Sequence, residues 1–250
     1  MAKMTLLSMV QDILNDMDSD DVNSIDDTEE ALQVASIIKT TFFEVISSRY
    51  WPHLSNIGVL SGSGDSEKPV HLLVSEDTQK VEWIKYNVHT STNTRSRFED
   101  ITYKSPEEFL SIINSRDSSA TNVSSVVDYS NIELLVKSDR APSYWTSFDD
   151  EVIVMDAYDS AVDSTLQGSK TQIRFYKEPT FTIDDAFIPD LPSKAFPYLL
   201  SEAKSVAFNA LRQVGNQKEE QRSRRQRTWL AREKDVTNGG TKRQDYGRKK

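Results

Sequence analysis

Apolar residues recur at helical spacing only toward the two ends of this chain. Between the ends the pattern changes to short β-branched and aromatic runs separated by Gly, Ser, Asp and Asn. Such a switch of period restricts the fold to helices from both ends combined with a β-rich middle. Leu6, Met9, Val10, Ile13, Leu14 and Met17 form one stripe, with Thr5 or Ser8 available to start the helix. Ala31, Val34, Ala35, Ile38, Phe42, Val45 and Ile46 form a second. Asp26 and Asp27 are its candidate N-caps, with Glu29 and Glu30 three residues on. Pro52 predicts an end near Tyr50-Trp51.

Strands are predicted at 56–60, 69–74, 80–88, 98–103, 123–129, 132–136, 152–158 and 171–176. Ser105-Pro106 opens a short helix to about Asn114. After Pro189 and Pro192, Phe196, Leu199, Leu200, Ala203, Val206, Ala207, Ala210, Leu211 and Val214 return to helical spacing. From Gln217 to Arg227 the sequence has almost nothing to bury. The expected fold class is therefore α+β. A helical bundle forms from residues 1–53 and a long helix over 193–235. An antiparallel β-sheet or sandwich is inserted at 54–192, with its short helix near 105–114. A flexible basic tail over 236–250 extends the C-terminal arm. With so little apolar surface, residues from Gln217 onward are expected to order only on docking.

Charge is distributed unevenly. Residues 217–250 carry 12 Lys and Arg against 5 Asp and Glu, a net of +7, which leaves −16 on residues 1–216. Arg222, Arg224, Arg225, Arg227 and Arg232 surround Trp229, and Lys242, Arg243, Arg248, Lys249 and Lys250 follow. Arg and Trp are the residue types that dominate interface hot spots, and they also suit phosphate contact and base stacking. The interleaved Glu219, Glu220, Glu233 and Asp235 favour helix-surface pairs and protein docking over plain nucleic-acid affinity.

Signals for chemistry are weak. With no cysteine, disulfides, thiol nucleophiles and thiolate metal sites are excluded. Asp16-x-Asp18-x-Asp20 imitates the start of a calcium loop, but Asp21 stands where glycine is required and Asp27 where a bidentate Glu is required. His53, His71 and His89 share no metal-ligand spacing; His71 reads as a strand residue and His53 as a packing or hydrogen-bonding one. Asp149, Asp150, Asp156 and Asp159 could serve metal or acid–base chemistry, yet such clusters arise readily among 39 Asp and Glu. Phosphate-loop, nucleophile-elbow and H-E-x-x-H motifs are missing. The reading is not an enzyme, with no cofactor and no metal. No run of ~18 apolar residues is present, so neither a membrane span nor export is expected.

The order of elements resembles the head-to-tail connector or adaptor proteins of short-tailed bacteriophages, the group that includes tail tubular protein A. The likeness is carried by the aromatic corner Ser48-Arg49-Tyr50-Trp51-Pro52 after the helix pair and by Pro142-Ser143-Tyr144-Trp145-Thr146-Ser147-Phe148-Asp149-Asp150 running into Val152 to Asp159. It is completed by Leu191-Pro192 before the Ala-rich helix, with Asn216-Gln217-Lys218-Glu219 and Arg-rich residues after it. The resemblance implies a structural virion protein of the tail or neck, assembled in the host cytoplasm. It implies a ring of twelve copies beneath the portal, with an axial channel for DNA. The Arg222 to Lys250 segment would engage the portal, and the β region would face tail nozzle or tail fibre proteins. Alternatives are another tail or baseplate component, a nucleic-acid-binding accessory protein acting through the basic segment, or a carboxylate metal enzyme around Asp149, Asp150 and Asp156.

Overall fold

The computed structural model describes residues 3–89 and 96–232. The chain is mixed α+β and divides into two compact units, one built from the chain's two ends (1–54 and 179–250) and one from 55–178. Among the described residues there are five α-helices and ten strands.

In the first unit, α1 (Leu6–Asp16) is capped by the Thr5 hydroxyl and buries Leu6, Met9, Val10, Ile13 and Leu14. Helix α2 (Glu29–Ser47) is capped by Thr28, not by Asp26 or Asp27 as expected. Those aspartates belong to a 3-10 turn at Ile25–Asp27, where Asp27 closes a capping box with Ser24. Helix α4 (Phe196–Arg212) packs on α1 and α2 through a face that includes Leu199, Ala203 and Ala207. Lys204, 7% exposed, lies 2.8 Å from Asp12 and 2.5 Å from Asp16 of α1. Burial pulls its pKa down, but the two carboxylates outweigh that and raise it, so the ammonium stays charged.

Two expectations are corrected in this unit. The β-rich region does not extend to 192. Residues 179–192 pack with the helices, because Phe181 sits against Phe42 and Phe187, and the Asp185 carboxylate accepts the Ile25 N–H. The C-terminal helix is also not continuous. Gln213 takes a left-handed conformation (φ 55°), and Asn216 caps a new helix, α5 (Gln217–Arg232), by accepting from the Glu219 N–H.

The second unit holds an eight-stranded sheet in the order β1-β10-β4-β5-β8-β9-β3-β2 and a separate two-stranded sheet, β6-β7. The strands are β1 (Ser55–Gly58), β2 (Ser61–Gly62), β3 (His71–Leu73), β4 (Thr78–Asn87), β5 (Phe98–Tyr103), β6 (Val123–Val127), β7 (Glu133–Lys137), β8 (Tyr144–Ser147), β9 (Val152–Met155) and β10 (Thr171–Lys177). The sheet is larger than expected and not wholly antiparallel, since β5 and β8 run parallel. The parallel pair needs a long crossover, supplied by α3 (Pro106–Asn114) and the β6-β7 hairpin. Entry and exit strands are neighbours, Ser55 opposite Tyr176, so this unit interrupts the helical chain without separating its ends.

The core of the second unit runs from Val70, Leu72 and Ile84 through Phe109 and Ile113 to Trp145 and Val154. One buried ion pair ties its parts together. Arg116, just beyond α3, reaches the Asp156 carboxylate at 2.8 Å and also donates to the Leu135 and Asp156 carbonyls. The other Asp156 oxygen accepts the Ser143 and Tyr144 N–H groups. The two side chains are 8% and 5% exposed. Asp156→Ala strands a buried guanidinium and two backbone donors, and is expected to destabilise this unit by about 3–5 kcal/mol. Urea unfolding followed by Trp fluorescence checks this, and a loss below about 1 kcal/mol would contradict it.

Candidate interaction surface on the C-terminal helices

Gln217 to Arg227 reads in the sequence as having almost nothing to bury, yet α5 has a buried side. Glu219, Ser223, Gln226 and Leu230 are its less exposed residues, at spacings of four, three and four, which is one face of a helix. This face lies on α4: the Ser223 hydroxyl donates to the Glu202 carboxylate, and Ser223 and Leu230 are both buried. Residues near the end of α5 share a cleft with Ser193, Lys194 and Pro197 at the start of α4. The two helices therefore form an antiparallel hairpin turning at Gln213 to Asn216.

The C-terminus of α5 is held from α2. The Arg49 guanidinium donates to the Leu230 carbonyl at 2.8 Å, one of the last-turn carbonyls that a helix leaves unsatisfied. Its charge also complements the negative helix end. Arg49 lies 3.9 Å above the Trp51 ring, whose indole N–H donates to the Val45 and Ile46 carbonyls at the end of α2. Trp51 is fully buried. The aromatic corner noted in the sequence is therefore a bracket joining the ends of two helices.

With one face committed, α5 presents the others to solvent. Arg222, Arg224, Arg225, Arg227 and Trp229 are all exposed, Trp229 by 52%. Arg224 pairs with Glu220 and Arg222 with Glu219, within the helix. Arg227 is close enough to act on the Tyr198 hydroxyl, which burial and then Glu202 push above its ordinary pKa while the Arg227 charge pulls it down. Arg225, Gln226 and Trp229 line the cleft against Ser193, Lys194 and Pro197, about 460 Å3 in volume. Arg232 ends the helix. Lys242, Arg243, Arg248, Lys249 and Lys250 lie outside the described residues.

Several of the other residues weighed for chemistry have structural partners. Asp16 binds Lys204, and Asp27 accepts the Asn23 and Ser24 N–H groups. Asp149 accepts the Glu151 and Val152 N–H groups, Asp159 that of Ala161, and Asp150 sits in a turn at φ 63°. His53 bonds the Asp190 carbonyl. His71 is a buried β3 residue 2.7 Å from Asp128, a pairing that sequence spacing gave no means of anticipating. Among the described residues no three His, Asp or Glu converge as a metal site, and no helix is long and apolar enough to cross a membrane. No protein-family model matches the chain, and no curated protein matches it.

Leu230→Ala removes the one apolar anchor of α5 and is expected to weaken its docking by about 2 kcal/mol. Limited trypsin digestion should then cut within 217–232 more than about tenfold faster, while the rest of the chain stays resistant. Unchanged cleavage would show that Leu230 does not hold the helix.

Proposed function

We propose that this protein is a non-enzymatic structural subunit of a tailed-bacteriophage virion, a head-to-tail adaptor between portal and tail. The observation that carries the reading is the cationic, Trp-bearing face of α5, displayed on a helix already packed against α4. Arg and Trp on a rigid helix suit a specific protein interface. In this reading α1, α2, α4 and α5 form the bundle of the ring wall. Arg222, Arg224, Arg225, Arg227, Trp229 and Arg232, followed by Lys242, Arg243, Arg248, Lys249 and Lys250, form the arm that engages the portal. Copies assemble into a closed ring, twelve by the family resemblance, with DNA passing through the axis. The net −16 of residues 1–216 suits such a channel, because carboxylates repel passing phosphates. The inserted β unit is free to meet tail nozzle or fibre proteins.

A second reading has support from the same residues: a nucleic-acid-binding accessory protein using Arg contacts and Trp229 stacking. The two are separated by measuring the mass of the purified protein, alone and mixed with the portal protein of the same virus, with negative-stain imaging. The adaptor reading predicts a ring of about twelve subunits, alone or on the portal. A monomer that ignores the portal and binds DNA with a steep salt dependence, lost on deleting 217–250, would replace it with the second reading.

A further inference from the structure

Strand β4 is laddered on both sides over only part of its length. Its pairing with β5 covers Ile84 to Asn87, opposite Phe98 to Ile101. Beyond Ile101, β5 leaves β4 and pairs instead with β8, Thr102 opposite Tyr144 and Tyr103 opposite Trp145. The first half of β4 keeps its ladder to β10, interrupted by irregularities near Gln79 and Glu82. Where the two strands diverge there is a cleft of about 490 Å3.

The lining of this cleft shows how it meets the sheet. Thr78, Gln79, Lys80, Val81 and Glu82 all contribute, five consecutive residues of one strand. A pocket over a sheet face touches alternate residues only, so this one runs along the backbone edge of β4. The opposite side is different: Trp145 and Ser147 alternate along β8, and Ile153 is the cross-strand partner of Ser147. With Tyr103 they form a floor that is one face of the sheet. The Tyr103 and Trp145 rings meet edge to face at 4.8 Å, and Tyr103 remains 55% exposed. An edge wall above an apolar and aromatic floor is the geometry that accepts an added strand, with main-chain bonds to the edge and alternate side chains on the floor. Thr78 to Trp83 offers about 20 Å of edge.

Charge identifies the occupant. Two turns bordering the cleft carry Glu76 and Asp77, and Asp149, Asp150 and Glu151, all exposed, and Glu82 lies on its wall. The two turns touch, since the Val74 N–H donates to the Glu151 carbonyl. Against these six carboxylates stand Lys80, Arg174 and Lys177, and all three have interactions within the protein, Arg174 with Glu82 and Lys177 with Asp77. We propose that the edge of β4 between Thr78 and Trp83 binds an extended, lysine- or arginine-bearing segment of a partner protein as an added strand. This inference does not rest on the adaptor reading, and it concerns the β unit alone.

The probe is a fluorescent peptide of about ten residues alternating Lys and Val, the length of a long strand. Binding is read by anisotropy, and the site by amide hydrogen exchange. The expected result is saturable binding with new protection at 78–83. Affinity should fall more than about tenfold when alternate peptide nitrogens are methylated, since that removes the ladder and leaves charge in place. It should fall about fivefold with Glu76→Lys/Glu151→Lys, whose thermal melting serves as the folding control. Equal binding of the methylated peptide, protection elsewhere, or no binding overturns the proposal. Concentration-dependent protection of 78–83 in the protein alone also overturns it, in favour of a second copy as occupant.

Discussion

The display surface of this protein depends on how one arginine is used. Arg49 stacks on Trp51 at the end of α2 and donates to the Leu230 carbonyl at the end of α5. Helix α5 is polar almost throughout, and most helical stability in a protein comes from packing one face on its neighbours. The Arg49 cap, the Ser223–Glu202 bond and the buried Leu230 together hold it on α4. Every solvent-facing arginine of α5 gains a defined direction from that docking. A cationic face held rigid loses less side-chain and backbone freedom on meeting a partner than a disordered tail would.

The helices and most strands were legible in the sequence because apolar periodicity is a direct record of which face is buried. The Leu6 to Leu14 stripe, the Ala31 to Ile46 stripe and the Ser105-Pro106 start all appear at the expected positions. The buried side of α5 was not legible for the same reason. Glu219, Ser223, Gln226 and Leu230 have helical spacing but only one apolar member, so a search for hydrophobic stripes passes over them. The break before α5 did leave a signal in Gly215-Asn216 with Glu219 three residues later, the pattern of a helix start. Competing apolar continuity through Val214 hid it. The basic residues were identifiable by charge, but their placement on a docked helix was not.

In the second unit the unread information is long-range. That Asp156 pairs with Arg116, and His71 with Asp128, depends on which strands become neighbours. Alternation within a strand says which residues face inward and nothing about which strand lies alongside. The parallel β5–β8 contact follows from the crossover through α3 and β6-β7, and it draws β5 away from β4. One topological choice thus produces both the joined eight-stranded sheet and the open edge at Thr78 to Trp83. Pairing of β1 with β10 then closes the unit beside its own entry point, which allows a large β insertion within a helical chain.

In the structure the cationic face stands on a helix folded without any partner. Amide hydrogen exchange of the isolated protein tests it directly. Protection across 219–230 should be comparable to that of α4, with slower exchange on the Ser223 and Leu230 side. Exchange of this segment at the rate of an unstructured chain, while α4 stays protected, would contradict it and return the segment to a tail that folds only on docking.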